Sequence, residues 1–236
     1  MKKILTLFAL VALAGLAAHA DSLAVNGTAA MGGSFGLEVI HDNASAAFVQ
    51  DDTPSAETVY RFEFLFDAND INNASGGGLG TNWRQSIFNI EGPNPRPNNP
   101  GNACPNGASV KVPVMRLFAM FTGGNGQNCS IQPLAMGNIC TNIGTLSRVA
   151  ISCSGPQKIC GFLEIGSPGR FGATAVAVTD PCPPDGDPAY TERDRVNNET
   201  NVDRVKMGIP GTNAFGAGEN GSLFYDEFAS FRTLAP

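Results

Sequence analysis

Histidine and tryptophan are nearly absent from this sequence, and their scarcity excludes several kinds of active site. The 236 residues include two histidines and one tryptophan. His19 lies in the apolar N-terminal stretch, which leaves His41 for the rest of the chain. One usable imidazole cannot build an HExxH metalloprotease or a zinc centre of the carbonic anhydrase type. No GxSxG serine elbow accompanies His41, so a Ser-His-Asp triad lacks support.

The sequence also contains few charged residues. Charged residues make up 15% of the chain, well below the ~25% of an average globular protein. The formal net charge is −6, and no cluster of Lys or Arg stands out along the sequence. Because an acidic chain repels a phosphate backbone, we expect no nucleic-acid partner.

The first twenty residues have the pattern of a secretory signal peptide. Lys2 and Lys3 precede the apolar stretch Ile4 to Ala17, and Ala18-His19-Ala20 is a small-x-small cleavage site. The apolar run is shorter than the ~20 residues of a membrane-spanning helix. We expect cleavage after Ala20, a single mature domain of residues 21–236, a secreted or periplasmic location and no transmembrane segment after cleavage.

Six cysteines lie in the predicted mature chain, and an even number in an exported protein favours disulfides over a metal site. Six cysteines allow fifteen pairings, among which the sequence does not choose rigorously. A turn at 154–157 between two apparent strands favours a bridge across a hairpin, and the remaining loops favour two further bridges. The three predicted pairs are Cys153 with Cys160, Cys129 with Cys140, and Cys104 with Cys182.

Period-two alternation recurs along the chain, whereas helical periodicity does not. It is clearest from Val59 to Asp67, where Tyr60, Phe62, Phe64 and Phe66 fall on one face. Further strand candidates are 35–41, 86–90, 110–121, 147–153, 160–165, 173–179, 202–208 and 222–231.

The segments between the strand candidates are rich in Gly, Pro, Asn and Asp, which is a turn and loop composition. The one helix candidate is the polar stretch Thr191 to Thr200. Nine short strands with such connections predict an all-β fold, either an antiparallel sandwich or a barrel.

Both ends of the predicted domain resemble a group of bacterial secreted proteins with LamG-like, concanavalin A-like jelly-roll domains. The matching segments are Phe35 to Val39, Ala47 to Pro54, Tyr60 to Phe62, Val202 to Gly208, Gly221 to Phe228 and Ser230 to Arg232. The resemblance implies a two-sheet antiparallel jelly roll whose first and last strands pair near one edge. It also implies a place among lectin-like modules, interaction domains and glycoside hydrolases, so the fold leaves the function open.

Few residues stand out as candidates for binding. Trp83 follows a glycine-rich loop and Tyr190 follows a proline-rich one, and both are candidates for stacking on a sugar. Asp67, Asn69 and Asp70 offer oxygen ligands to calcium, the one candidate cofactor, although a turn that ends a strand explains the same spacing. Asp51-Asp52 indicates either a cation site or a salt bridge to Arg61.

Three functional hypotheses remain open. The first is a noncatalytic secreted module that binds a polysaccharide or an extracellular partner. The second is a structural or protein-interaction module without a small-molecule ligand. The third is a glycoside hydrolase or polysaccharide lyase with a nonstandard carboxylate site, since the nearest match to an E-x-D-x-E motif, at Glu192 and Asp194, lacks the third carboxylate. No residue is therefore assigned a catalytic role.

Overall fold

The computed structural model describes residues 22–41, 46–69, 82–93, 111–122, 128–136, 142–166, 169–185, 187–195, 201–211 and 221–233, so the predicted signal peptide lies outside it. These residues form fourteen strands and no helix. In chain order the strands are β1 (Ser22–Asn26), β2 (Gly36–His41), β3 (Ala47–Asp51), β4 (Val59–Asp67), β5 (Asn82–Pro93), β6 (Lys111–Thr122), β7 (Asn128–Met136), β8 (Asn142–Thr145), β9 (Val149–Ile151), β10 (Gln157–Glu164), β11 (Gly169–Val176), β12 (Thr191–Arg195), β13 (Arg204–Ile209) and β14 (Gly221–Phe231).

The strands form two antiparallel sheets packed face to face. The first sheet has the order β1-β2-β14-β4-β10-β11-β12, and the second has the order β3-β13-β5-β6-β7-β8 with β9 also paired to β7. Strand β14 lies between β2 and β4, close to the β1 edge. The all-β prediction is confirmed, and the architecture is a two-sheet jelly-roll β-sandwich. The helix candidate at 191–200 is wrong, because Thr191–Arg195 is an edge strand paired with β11.

The core lies between the two sheets, and aromatic rings occupy its centre. The alternating residues of β4 point inward as predicted, with Phe62 and Phe64 2% and 1% exposed. Phe88 from the second sheet packs on both, with ring centroids 4.4 Å from Phe62 and 5.4 Å from Phe64. Ring pairs at such distances add stabilisation beyond the burial of their area. This contact joins the sheets at their centres.

The cysteine pairing differs from the prediction. Among the described residues the bridges are Cys129–Cys153 and Cys160–Cys182, so the predicted Cys153–Cys160, Cys129–Cys140 and Cys104–Cys182 pairs are all wrong. The presumed hairpin is the source of the error, because β9 pairs with β7 in the second sheet whereas β10 lies in the first. Cys104 and Cys140 lie outside the described residues.

Candidate functional site

The outer face of the first sheet is partly covered by the segment between β1 and β2. The carboxylate of Asp226 accepts hydrogen bonds from the backbone N–H groups of Met31, at 2.8 Å, and Gly32, at 2.7 Å. Charge-assisted bonds of this kind are short and strong. They hold the segment against β14, and the side chain of Leu65 on this face of the adjacent β4 is fully buried.

A second segment, residues 180–185 and 187–190, covers the neighbouring part of the same face, and we call it the strap. The Cys160–Cys182 bridge ties it to β10, and Arg61 of β4 forms an ion pair with Asp185 at 2.9 Å. Tyr190 is 6% exposed, packs edge-on against Phe162 and donates its hydroxyl hydrogen to a backbone carbonyl of the strap at 3.1 Å. The structure therefore places Tyr190 as a packing residue under the strap.

The outer face of the second sheet is different, because it carries a cluster of charged side chains. On β13, Val205 and Met207 point into the core, so Arg204 and Lys206 point outward. Lys206 Nζ lies 3.0 Å from Glu91 Oε1 of the neighbouring strand β5. Arg204 Nε lies 2.6 Å from Asp52, which corrects the expectation that this acidic segment would pair with Arg61.

Two arginines on the same face each have one nitrogen atom without such a partner. The Nε atoms of Arg84 on β5 and Arg116 on β6 are buried and have no hydrogen-bond acceptor. Burial lowers the pKa of the Arg84 guanidinium, and the charge of Arg148 lowers it further. Burial also lowers the pKa of Arg116, although Glu91 partly opposes the shift. Arginine is effectively always protonated in proteins, so each of these charges is held at a desolvation cost.

We call Arg84, Arg116, Arg204 and Lys206 the cationic patch. These four cations face two carboxylates, those of Glu91 and Asp52, although the whole chain has a net charge of −6. The guanidinium of Arg84 lies 3.9 Å from the ring centroid of Phe118, which is 4% exposed and belongs to a small apolar cluster on this face. A cation over an aromatic face is stabilised and held flat.

The strand register aligns part of this patch in a row across three strands. Lys206 on β13 stands opposite Asn89 on β5, and Asn89 stands opposite Arg116 on β6. Neighbouring strands lie ~4.8 Å apart, which puts Lys206 and Arg116 at a Cα separation of about 10 Å. Asn89 and Glu91 are each 4% exposed, whereas the Lys206 and Arg204 side chains are 16% and 26% exposed. Buried polar groups thus lie between partly exposed cations.

The other predicted site residues lie elsewhere. Trp83 belongs by its backbone to β5 opposite Phe121, and its side chain lies outside the described part of the structure. Asp67 Oδ1 accepts a hydrogen bond from the backbone N–H of Asn69 at 2.8 Å, a local turn that ends β4. Asp70 is not among the described residues. Within the described ranges, no group of three or more His, Cys, Asp or Glu residues is placed to hold a metal, and calcium binding stays a prediction.

The chain's tyrosines and its remaining histidine are buried elsewhere and do not belong to the patch. Tyr60 and Tyr225 are fully buried in the core between the sheets, and Tyr190 lies under the strap. His41 ends β2 in the first sheet and is 3% exposed. Among the described residues, the patch therefore combines cations with amide and carboxylate groups, without the Tyr or His that would move a proton at neutral pH.

No helix in the described part of the chain is long and apolar enough to cross a membrane. No protein-family model matches the sequence, and no curated protein matches it.

Solved structures share the fold at low sequence identity. An endo-β-1,4-glucuronan lyase from the fungus Trichoderma reesei matches 90% of this chain and 87% of its own, with 12% identity and a TM-score of 0.59. A cellulose-induced protein matches 91% and 87%, with 13% identity and a TM-score of 0.49. An alginate lyase from Pseudomonas aeruginosa matches 83% and 82%, with 11% identity and a TM-score of 0.46. At these identities the likeness is one of fold, the jelly-roll β-sandwich.

Proposed function

We propose that this protein binds an acidic, uronate-containing polysaccharide on the cationic patch, outside the cytoplasm and without chemical conversion. The observation that carries the proposal is the pair of buried Nε atoms of Arg84 and Arg116, neither of which has a hydrogen-bond acceptor. A buried donor without an acceptor is costly. A bound carboxylate would supply the missing acceptor and offset that cost.

The form of the patch favours a polymer over a small anion. Its cations are spread over β5, β6 and β13, and the row from Lys206 to Arg116 spans about 10 Å. A uronate chain lying across the strands presents a carboxylate on every sugar. Several of these carboxylates can therefore contact the cations of the patch at the same time. Hydrogen bonds to charged groups contribute about 1.5–3 kcal/mol each, and the arginine fork matches the geometry of a carboxylate.

The structural neighbour with a TM-score of 0.59 supports the choice of ligand class. Its name describes an enzyme that acts on β-1,4-glucuronan, a linear polymer of uronic acid. Polyglucuronate is therefore the first ligand to test. The jelly-roll fold occurs in proteins of many functions. The cationic patch therefore supports binding by this chain, and the glucuronan lyase only suggests polyglucuronate as the ligand to test.

A noncatalytic role is favoured over a lyase activity by the composition of the patch. Cleavage of a uronate chain by β-elimination needs a group that removes the sugar C5 proton and one that protonates the leaving oxygen. The tyrosines lie in the core or under the strap, and Lys206 is engaged with Glu91. The two disulfides among the described residues and the predicted signal peptide support an exported protein. That residues 21–236 form its single domain is part of the proposal.

Binding to matched acidic and neutral polymers tests the proposal. The mature chain, with its disulfides intact, is titrated calorimetrically with polyglucuronate oligosaccharides and with cello-oligosaccharides of equal length, which lack the carboxylates. We expect binding of the acidic oligomer alone. The Arg116→Gln variant should bind at least about tenfold more weakly, a loss of ~1.4 kcal/mol.

The control variant is Arg170→Gln, because Arg170 lies on the first sheet and pairs with Glu164 at 2.8 Å. It changes the net charge by the same amount and should bind like the wild type. Equal affinity for both polymers, no affinity for either, or an equal loss in both variants would refute the proposal. Release of unsaturated sugar ends during the titration would instead identify a lyase.

A further inference from the structure

A β-bulge in β5 brings Ser86 and Asn89 to the same face of the second sheet. Residues three apart in a regular strand point to opposite faces. Here the pairing with β6 shifts between Ser86 and Phe88, and Ile87 and Phe88 are both buried in the core. The extra inward residue turns Asn89 outward beside Ser86. Bulges commonly re-aim a side chain in this way next to functional sites.

The two side chains are joined by a hydrogen bond that fixes the orientation of the amide. Ser86 Oγ donates to Asn89 Oδ1 at 2.7 Å, with the two residues 1% and 4% exposed. The acceptor atom of the amide is thereby occupied, and its NH₂ group points away from Ser86. The two donors of that NH₂ group therefore face away from Ser86, at the floor of the cationic patch.

The position of Asn89 in the sheet places these donors where a bound anion would lie. It stands in the strand register between Lys206 and Arg116, the two cations of the row across β13, β5 and β6. A neutral donor between two cations adds directional hydrogen bonds to an oxyanion without adding charge.

We propose that Asn89 donates a hydrogen bond to a carboxylate of the bound acidic polysaccharide and that Ser86 is the positioning residue that keeps this donor outward. This inference rests on the proposed function. Without the Ser86 hydroxyl, the amide can turn over and present its oxygen to the anion, which repels it. Ser86→Ala should therefore weaken binding about threefold to tenfold, the range expected for losing one hydrogen bond or less.

The salt dependence of binding separates this role from that of the cations. Each cation that contacts a polyanion releases counterions and steepens the fall of affinity with salt, whereas a neutral donor does not. The dissociation constant for polyglucuronate is measured at several NaCl concentrations above ~0.1 M. Ser86→Ala should raise it by the same factor at every concentration, with an unchanged slope. Arg116→Gln should reduce the slope.

Two further variants complete the test. Asn89→Asp keeps the shape and can still accept the Ser86 bond, but it replaces donors by a negative charge and should abolish measurable binding. Ser130→Ala removes another buried hydroxyl on β7, where Ser130 is 9% exposed, and should bind like the wild type. Thermal unfolding of each variant reports any loss of fold.

The outcomes distinguish the two proposals. If the wild type binds polyglucuronate and Arg116→Gln loses affinity, but Ser86→Ala and Asn89→Asp both bind within twofold of the wild type, the role of Asn89 is refuted and the proposed function stands. A change of slope in a well-folded Ser86→Ala variant also refutes it. If the wild type binds no acidic polymer, both proposals fail.

Discussion

Replacing Glu91 by Gln should weaken the fold and strengthen the binding of an acidic polymer. Its side chain is 5% exposed and contacts Lys206 Nζ at 3.0 Å and Arg204 at 4.0 Å, and its charge also acts on Arg116. The Glu91→Gln variant keeps the size of the side chain and removes the negative charge around which three cations gather. The free protein then holds those cations with less compensation, whereas an anionic ligand meets less repulsion.

The exposure of the partners sets the size of the effect. Breaking a fully buried ion pair costs ~3–5 kcal/mol, but the Lys206 and Arg204 side chains are 16% and 26% exposed, so water screens part of the loss. We expect a decrease of about 2 kcal/mol in the free energy of unfolding, or a melting temperature lower by about 4–8 °C for a chain of this length. Removing one like charge near the ligand should raise the affinity about threefold to tenfold.

Denaturant unfolding and calorimetric titration with polyglucuronate measure the two effects on the same samples. Glu164→Gln is the matched control, because the Glu164–Arg170 pair is 31% and 32% exposed and should contribute less than ~1 kcal/mol. The reasoning is refuted if Glu91→Gln is as stable as the wild type, if Glu164→Gln is destabilised equally, or if the loss of Glu91 weakens binding. The last result would mean that the carboxylate itself contacts the ligand.

Three other predictions concern the fold. Peptide mapping should recover Cys129 linked to Cys153 and Cys160 linked to Cys182, and breaking either bridge with serine should cost about 3 kcal/mol by loop entropy; a Cys153–Cys160 peptide would contradict the topology. Gly161→Ala places a methyl group against the ring of Phe62 and should destabilise by about 1–3 kcal/mol, whereas Gly211→Ala, with nothing within 4 Å, should stay within ~0.5 kcal/mol. Burial raises the pKa of all three tyrosines, so the stability they contribute is complete below the unfolded pKa of about 10 and is lost as pH rises above it; tyrosinate absorbance that appears before unfolding would contradict this.

The sequence predicts a strand and its bounds well where one face of the strand is buried and the other is exposed to solvent. Val59–Asp67 was predicted with the bounds that the structure shows, because alternating aromatic residues leave a single possible register. Strand β12, with the sequence TERDR, contains no apolar alternation, so its sequence does not distinguish a strand from a polar helix. Strand β7 was missed, and Pro133 within it interrupts the usual strand signal. Strands such as β12 and β7 form because neighbouring strands pair with them, and their own sequence pattern does not reveal this pairing.

The disulfides and the candidate site could not be predicted for a related reason, because both depend on which strands become neighbours. Cys153 and Cys160 are close in sequence, but Cys153 follows β9 of the second sheet, whereas Cys160 lies in β10 of the first. Arg84, Arg116 and Lys206 are far apart in sequence and meet only through the order β13-β5-β6. The alternation of Val205 and Met207 with charged residues was a visible signal for an outward Lys206. The bulge that aligns Ser86 with Asn89 reverses what alternation predicts.

The contrast between an acidic chain and its cationic patch has a consequence for the ionic strength at which binding is strongest. At 0.1 M salt the Debye length is ≈ 10 Å, smaller than the radius of gyration of about 17 Å for a chain of this length. A bound polyanion then interacts mainly with the patch. At 0.01 M the Debye length is ≈ 30 Å, and the net charge of −6 acts on the whole ligand.

Repulsion by the whole chain should then offset the attraction of the patch. Affinity for polyglucuronate should therefore pass through a maximum between these ionic strengths instead of rising steadily as salt is removed. A protein that bound the polymer through its net charge could show no such maximum, because an acidic chain and an acidic polymer would repel at every ionic strength. A steady rise down to 0.01 M salt would mean that cations outside the patch dominate binding.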